Sequence, residues 1–176
     1  GPPLRDYQEE VVKEAVARGR GLIDIGVGGG KSLLAAAVVA AIGLPCIWLV
    51  TTRALLSQTL RNVRESLGVE PGVIGDGECR PTSLTVALVQ SLWSRELDLT
   101  AWRGGTLVFD EGHHAAAKTY RETIQRIEPR YHYYLSAVPF RSTRGEQAVL
   151  EALAGRPLTG RKYCSRFLVA RGYCCP

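Results

Sequence analysis

The sequence predicts an α/β domain: a mostly parallel central sheet with helices on both faces. Three observations carry that prediction. Short apolar runs alternate with segments of helical periodicity, the pattern of parallel strands joined by crossover helices. A glycine-rich stretch, Ile25-Gly26-Val27-Gly28-Gly29-Gly30-Lys31-Ser32, separates the first such run from an Ala-rich helical segment. The acidic pair Asp110-Glu111 directly follows Leu107-Val108-Phe109, so carboxylates stand at the end of a buried strand. A chain of 176 residues fits one compact domain and buries roughly 70% of the surface its unfolded form exposes.

Asp6 with Glu9 three residues on resembles a capping box, which predicts a helix from about Tyr7. Tyr7, Val11, Val12, Ala15 and Val16 share one helical face, and Gly19 and Gly21 end it. Residues 21–25 follow as a buried strand, then the glycine loop, then a helix over 31–42 stopped by Gly43 and Pro45. Residues 46–50 form the second strand, with Cys46 and Trp48 in the core. Thr51-Thr52-Arg53 turns into a helix reaching about Leu67. The Gly/Asp/Pro-rich stretch 68–83 reads as irregular apart from a short strand at Val73-Ile74. A strand at 84–89, a helix over 91–97 and a strand at 106–109 come next. A helix over 118–127, a strand at 131–135 and a helix over 145–153 complete the pattern. Trp93 and Trp102 are expected to pack helices, with an exposed loop as the alternative for Trp102-Arg103. Tyr131, His132, Tyr133 and Tyr134 are expected to pack rather than to stack on bases, and His114 to be structural. The domain is placed at 1–155, with 156–176 a basic C-terminal segment that starts a linker.

The formal net charge is +5. No acid follows Glu151, whereas Arg156, Arg161, Lys162, Arg166 and Arg171 do. That asymmetry suits either a phosphate-rich partner or a solvated basic tail. No apolar run reaches the roughly 18 residues of a spanning helix, and no secretory leader pattern is visible. No membrane partner is therefore expected. Five cysteines, an odd number without a Cys-x-x-Cys pair, argue against a disulfide framework or a zinc site and for an intracellular setting.

A triphosphate carries several negative charges and needs many donors. Glycines let backbone N–H groups turn inward without side-chain clash, and the following helix adds its positive end. Lys31 would reach the β- and γ-phosphates and the Ser32 hydroxyl would ligate Mg²⁺. The strict spacing wants glycine at position 25, where Ile25 stands. The match is therefore Gly-Lys-Ser with Gly26, Gly28 and Gly29 upstream, and a flexible turn is the bland alternative. Asp110, at the carboxyl end of a parallel strand, would face the ligand crevice and hold Mg²⁺ with Ser32. Glu111 would orient or deprotonate the attacking water. These residues predict ATP and Mg²⁺ as ligands, with Glu111, Asp110 and Lys31 as the catalytic set.

Several motifs in order resemble the N-terminal RecA-like domain of superfamily-two helicases and translocases, from about Leu4 to Leu153. Leu4-Arg5-Asp6-Tyr7-Gln8 is similar to that family's Leu-Arg-x-Tyr-Gln motif, which implies Gln8, with Arg5, for adenine recognition. Residues 26–32, including Val27 and Gly30, match motif I, and Asp110-Glu111-Gly112-His113 matches motif II of the DEAH/DECH kind. Ser136-Ala137-Val138-Pro139-Phe140-Arg141 resembles motif III, to which His113 would link the ATP site. Thr52-Arg53 with Leu55 and Gln58 resembles motif Ia. Residues 72–77 with 86–92 resemble the branch of DNA-repair helicases, phage recombination helicases and restriction-enzyme motor subunits.

The resemblance implies a nucleic-acid track at Arg53, Gln90 and Ser91, with DNA favoured over RNA. It also implies a second RecA-like lobe outside these 176 residues. That lobe would carry an arginine finger, which supplies roughly 10³–10⁵ of the hydrolysis rate. The chain alone is thus expected to bind nucleotide, to turn it over slowly and not to unwind a duplex. Val138 and Leu88 stand where relatives place Thr, and each deletes a hydroxyl. This keeps open a non-catalytic, nucleotide-gated nucleic-acid-binding module. A small-molecule kinase would need an acceptor pocket and a lid, and no sequence signal marks either.

Overall fold

The computed structural model describes residues 3–26, 28–94, 97–110, 117–136, 152, 155–158, 162–163 and 165–173. In chain order the elements are α1 (Asp6–Arg18), β1 (Arg20–Asp24), α2 (Lys31–Ile42), β2 (Cys46–Val50), α3 (Arg53–Leu67), β3 (Gly72–Gly75) and β4 (Glu78–Arg80). They continue with β5 (Leu84–Leu88), α4 (Val89–Ser94), β6 (Thr106–Asp110), α5 (Ala117–Ile127), β7 (Tyr131–Ser136) and α6 (Ser165–Ala170). The strands form a 7-stranded sheet in the order β1-β7-β6-β2-β5-β3-β4. All neighbours run parallel except β3 and β4.

Alternate residues of every strand except the exposed β4 feed two separate cores. Ile23, Trp48, Val86, Val108 and Tyr133 pack with α1, α2 and α3. Leu22, Ile47, Leu49, Leu107, Phe109 and Tyr134 pack on the other face with Leu92 of α4 and Ile127 of α5. A sheet buried on both faces needs near-continuous apolar strands, and β2 and β6 are buried at every residue. Cys46 lies among them, and burial pushes its thiol well above the usual range. The helix ends follow the glycines: Gly19, Gly43 and Gly68 cap α1, α2 and α3 in the left-handed conformation.

Four expectations shift. The first helix starts one residue earlier than the Asp6/Glu9 pair suggests, because Gln8 Oε1 accepts from the Arg5 N–H at 2.9 Å; Arg5, not Asp6, is the N-cap. The helix placed at 91–97 starts earlier, at Val89, and its described part is Val89–Ser94. Residues 68–83 contain a complete hairpin rather than a lone strand, with β3 and β4 paired antiparallel. Its two-residue turn is Asp76-Gly77, with φ of 51° and 86°, the type I′ chemistry that an Asp-Gly step favours. Trp102 is buried at the end of a short 3₁₀ turn, so the exposed-loop alternative fails for it. Trp93 is 39% exposed, with the Arg126 guanidinium 4.8 Å from its ring.

The described part of the C-terminal segment folds back onto the domain. Pro157 bridges Leu22 at the free side of β1. Leu158, Tyr163 and Leu168 are buried in the core that holds α1 and α2. Lys162 and Tyr163 meet Glu10, whose carboxyl is held below its usual range by the Tyr163 hydroxyl and then by Lys162. The helix expected over 145–153 lies outside the described residues, apart from Ala152.

Candidate functional site on the carboxyl edge of the sheet

Because the strands from β1 to β5 are parallel, the segments that follow them gather on one edge. The glycine loop leaves β1, Ser136 ends β7, Asp110 ends β6, Arg53 follows β2, and Gln90 and Ser91 follow β5. Along this edge β7 is the single strand between β1 and β6. The register sets Asp24 opposite Ser136, and Leu135 opposite Asp110. Two inter-strand spacings, about 10 Å, therefore separate the strand that feeds the loop from the strand that ends in Asp110.

The loop is shaped by glycine. Gly28 and Gly30 have φ of 81° and 73°, a region open to glycine and strained for other residues. A Cβ on Gly29 would lie 2.2 Å from Ile25 Cγ2, so no larger residue fits there. The Gly29 N–H donates to the Gly26 carbonyl at 3.0 Å, which curls the chain. Gly30 caps α2, and its carbonyl accepts from Leu34 N–H at 2.9 Å. Lys31 and Ser32 occupy the first turn of α2, where backbone N–H groups lack helical partners. Lys31 Nζ donates to the Ile25 carbonyl at 3.1 Å, so its ammonium lies across the curled loop.

Asp110 is buried, 7% exposed. Among the described residues no group of three His, Cys, Asp or Glu side chains could hold a metal. One hydroxyl and one carboxylate suit Mg²⁺, which keeps several waters and takes phosphate oxygens for its remaining positions. The donor types of Ser32 and Asp110, a hydroxyl and a carboxylate, fit a magnesium–nucleotide complex.

Arg5, the N-cap of α1, and Gln8 in its first turn join this region. Gln8 is 2% exposed, and its Nε2 donates to the Gly29 carbonyl at 3.1 Å. The Arg5 guanidinium lies 4.4 Å from the Tyr173 ring centre. Further along the edge, Arg53 is 78% exposed and pairs with Asp76 at 3.2 Å; Gln90 is exposed and Ser91 half-buried. Thus Arg5, Gln8, Gly26, Gly28, Gly29, Gly30, Lys31 and Ser32 come together, Asp110 shares their edge, and Arg53, Gln90 and Ser91 stand beyond it. Val27, Glu111, His113, His114 and residues 137–141 of the third motif lie outside the described residues.

Sequence reasoning missed three contributors. Tyr7, assigned there to a packing face, also donates its hydroxyl to the Gly29 carbonyl at 2.7 Å. Leu168 packs behind the loop, 3.0 Å from where a Gly29 Cβ would stand. Asp76 holds Arg53. The i, i+4 pair Tyr163 and Phe167 was the available signal that the C-terminal segment carries a packing helix.

Fold and edge together define a RecA-like α/β domain of the kind found in helicase motors. The chain belongs to the family described as "Type III restriction enzyme, res subunit", which matches residues 2–141, and is an N-terminal domain of superfamily-two helicase type. It is 32% identical over 159 residues to the DNA 3'-5' translocase XPB2 of Sulfurisphaera tokodaii, covering 90% of this chain and 36% of that protein. It is 29% identical over 162 residues to a putative DNA 3'-5' helicase Rad25 of Haloarcula marismortui, covering 88% of this chain and 25% of that one. The chain thus spans about a third or less of these relatives. Among solved structures, the UvsW helicase of bacteriophage T4 superposes with a TM-score of 0.71 at 19% identity, over 87% of this chain and 58% of that one. The helicase domain of Pyrococcus furiosus Hef gives a TM-score of 0.70 at 18% identity, over 88% of this chain and 37% of that one. No helix among the described residues is long and apolar enough to cross a membrane.

Proposed function

We propose that this chain is the ATP-binding half of a nucleic-acid-dependent ATPase, a DNA translocase or helicase that binds and hydrolyses ATP with magnesium. The observation that carries the reading is the shared edge: a glycine loop with Lys31 and Ser32, and a buried Asp110 with one strand, β7, between. Loop amides and the Lys31 ammonium hold the phosphates. Ser32 and Asp110 would hold magnesium, which would neutralise phosphate charge. Glu111 positions the water. Arg5 and Gln8 recognise adenine; Gln8 is engaged at Gly29, so the base edge and the loop share one amide. Arg53, Gln90 and Ser91 contact the phosphate backbone of the track, and the names of the relatives favour DNA over RNA. The second lobe lies outside these residues and supplies the finger that speeds hydrolysis. The domain boundary proposed near residue 155 is not a packing boundary: the described part of 156–176 joins the core that holds α1 and α2.

Binding and turnover of Mg·ATP by the chain and its Lys31→Ala and Glu111→Gln variants test this. Lys31→Ala should lose binding, and Glu111→Gln should keep binding and lose the slow turnover. Equal turnover in the wild type and Glu111→Gln would remove Glu111 from its role. Nucleotide binding without any hydrolysis, even with a second lobe supplied, would favour the non-catalytic module instead.

A further inference from the structure

We propose that Tyr7 is a positioning residue for the nucleotide's phosphates: its hydroxyl fixes the Gly29–Gly30 peptide so that the Gly30 N–H faces into the loop. The inference rests on the nucleotide reading above and adds to it a residue and a cause. The Gly29 carbonyl accepts twice, from Tyr7 Oη at 2.7 Å and from Gln8 Nε2 at 3.1 Å. Two successive residues of α1 thus satisfy both lone pairs of one oxygen. A trans peptide is planar, with its N–H opposite its C=O. Holding the Gly29 carbonyl toward α1 therefore turns the Gly30 N–H away from α1.

The orientation needs an external hold. A peptide between two glycines has no Cβ on either side to oppose a flip, and Gly30 already sits at φ 73°. Flipped, it would present a carbonyl oxygen where an anion needs a donor, converting attraction into repulsion. The hydroxyl proton is itself directed: Arg5 Nη1 approaches Tyr7 Oη at 3.4 Å as a donor, which leaves the Tyr7 proton for Gly29.

The ring cannot swing away. Tyr7 is 4% exposed, and Tyr163, Phe167 and Tyr173 surround it with centroids at 5.2, 6.0 and 5.6 Å. All three come from the C-terminal segment, which also sets Leu168 behind Gly29. The stretch beyond residue 155 therefore stiffens the phosphate loop. Two donors also give the loop a reserve. Were Gln8 to turn its amide to a base edge, Tyr7 would keep the carbonyl in place.

The test is Tyr7→Phe in the full 176-residue chain, which keeps the ring and its packing and removes one hydroxyl. Mg·ADP binding by calorimetry should weaken roughly 3- to 10-fold, the usual reach of one buried hydrogen bond. In proton–nitrogen spectra, ADP should move the wild-type Gly30 amide proton downfield as it gains a charged acceptor. That displacement should shrink in Tyr7→Phe while the Ser32 amide still responds. General loosening of the loop would diminish both amides together, and would count against the clamp. An unchanged affinity and unchanged Gly30 displacement in Tyr7→Phe, with binding lost in Lys31→Ala, would overturn the clamp and leave the pocket standing. Wild-type affinity in Lys31→Ala would overturn the nucleotide reading itself, and the clamp with it.

Discussion

The two ends of the carboxyl edge are built in opposite ways. On the β1 side, the glycine loop is enforced by backbone conformation and close packing: positive φ at Gly28 and Gly30, no room for a Cβ at Gly29, and two α1 side chains on one carbonyl. On the β2–β5 side, Arg53 and Gln90 are exposed, and Arg53 pairs with the solvent-facing Asp76. A ligand with fixed geometry, such as a phosphate chain, rewards a rigid cradle. A polymer backbone that must slide rewards accessible charges with little geometric commitment. The contrast teaches that perturbations on the first side should act steeply on small-ligand binding, and those on the second weakly, through charge.

The steepest break is Lys31→Ala, which removes a charge-assisted phosphate contact and should weaken Mg·ADP binding about 100-fold; calorimetry reads it directly. Gly29→Ala should come next. Its new methyl meets Ile25 at 2.2 Å, and forcing it in costs about 1–3 kcal/mol, seen as a lower melting temperature together with weaker nucleotide binding. On the other side, Arg53→Ala should leave ADP affinity unchanged while lowering DNA affinity by a few-fold and the salt slope by about 1, read from binding isotherms at several ionic strengths. A large loss of ADP binding in that variant would erase the distinction between the two ends.

The smallest effect concerns the C-terminal segment's hold on α1. Glu10 is lowered below its usual 4.5 by the Tyr163 hydroxyl and Lys162. A carboxyl lowered on folding contributes stability above its unfolded pKa, and that contribution fades as pH falls through the lower folded value. Melting curves of the wild type and Glu10→Gln should therefore differ slightly at neutral pH and draw together as pH falls below the unfolded value of about 4.3. Parallel curves would show that Glu10 does not hold the segment.

Much of this was legible because it is written in local signals. The glycines of 26–30 and Asp110 after Phe109 each mark a strand end that backbone sterics or burial dictate, so their order gave the edge. The 72–80 hairpin was equally written, in Asp76-Gly77 between alternating residues, but the surrounding Gly and Pro masked it as loop. The fate of 156–176 was not legible. Its net positive charge advertises solvent, whereas Leu158, Tyr163 and Leu168 are buried by contacts with residues more than 100 positions earlier, which no local window contains. Tyr7 was hidden differently: its helical periodicity is correct, and its hydroxyl's partner exists only once α1 meets the loop.

On the proposed reading, the glycine loop and Asp110 form one magnesium–nucleotide pocket. Titrating ADP with and without Mg²⁺ into the wild type and Asp110→Asn tests it most directly. The wild type should bind more tightly with the ion, whereas Asp110→Asn should keep the ion-free affinity and lose most of the gain. An equal magnesium gain in both proteins would contradict the claim.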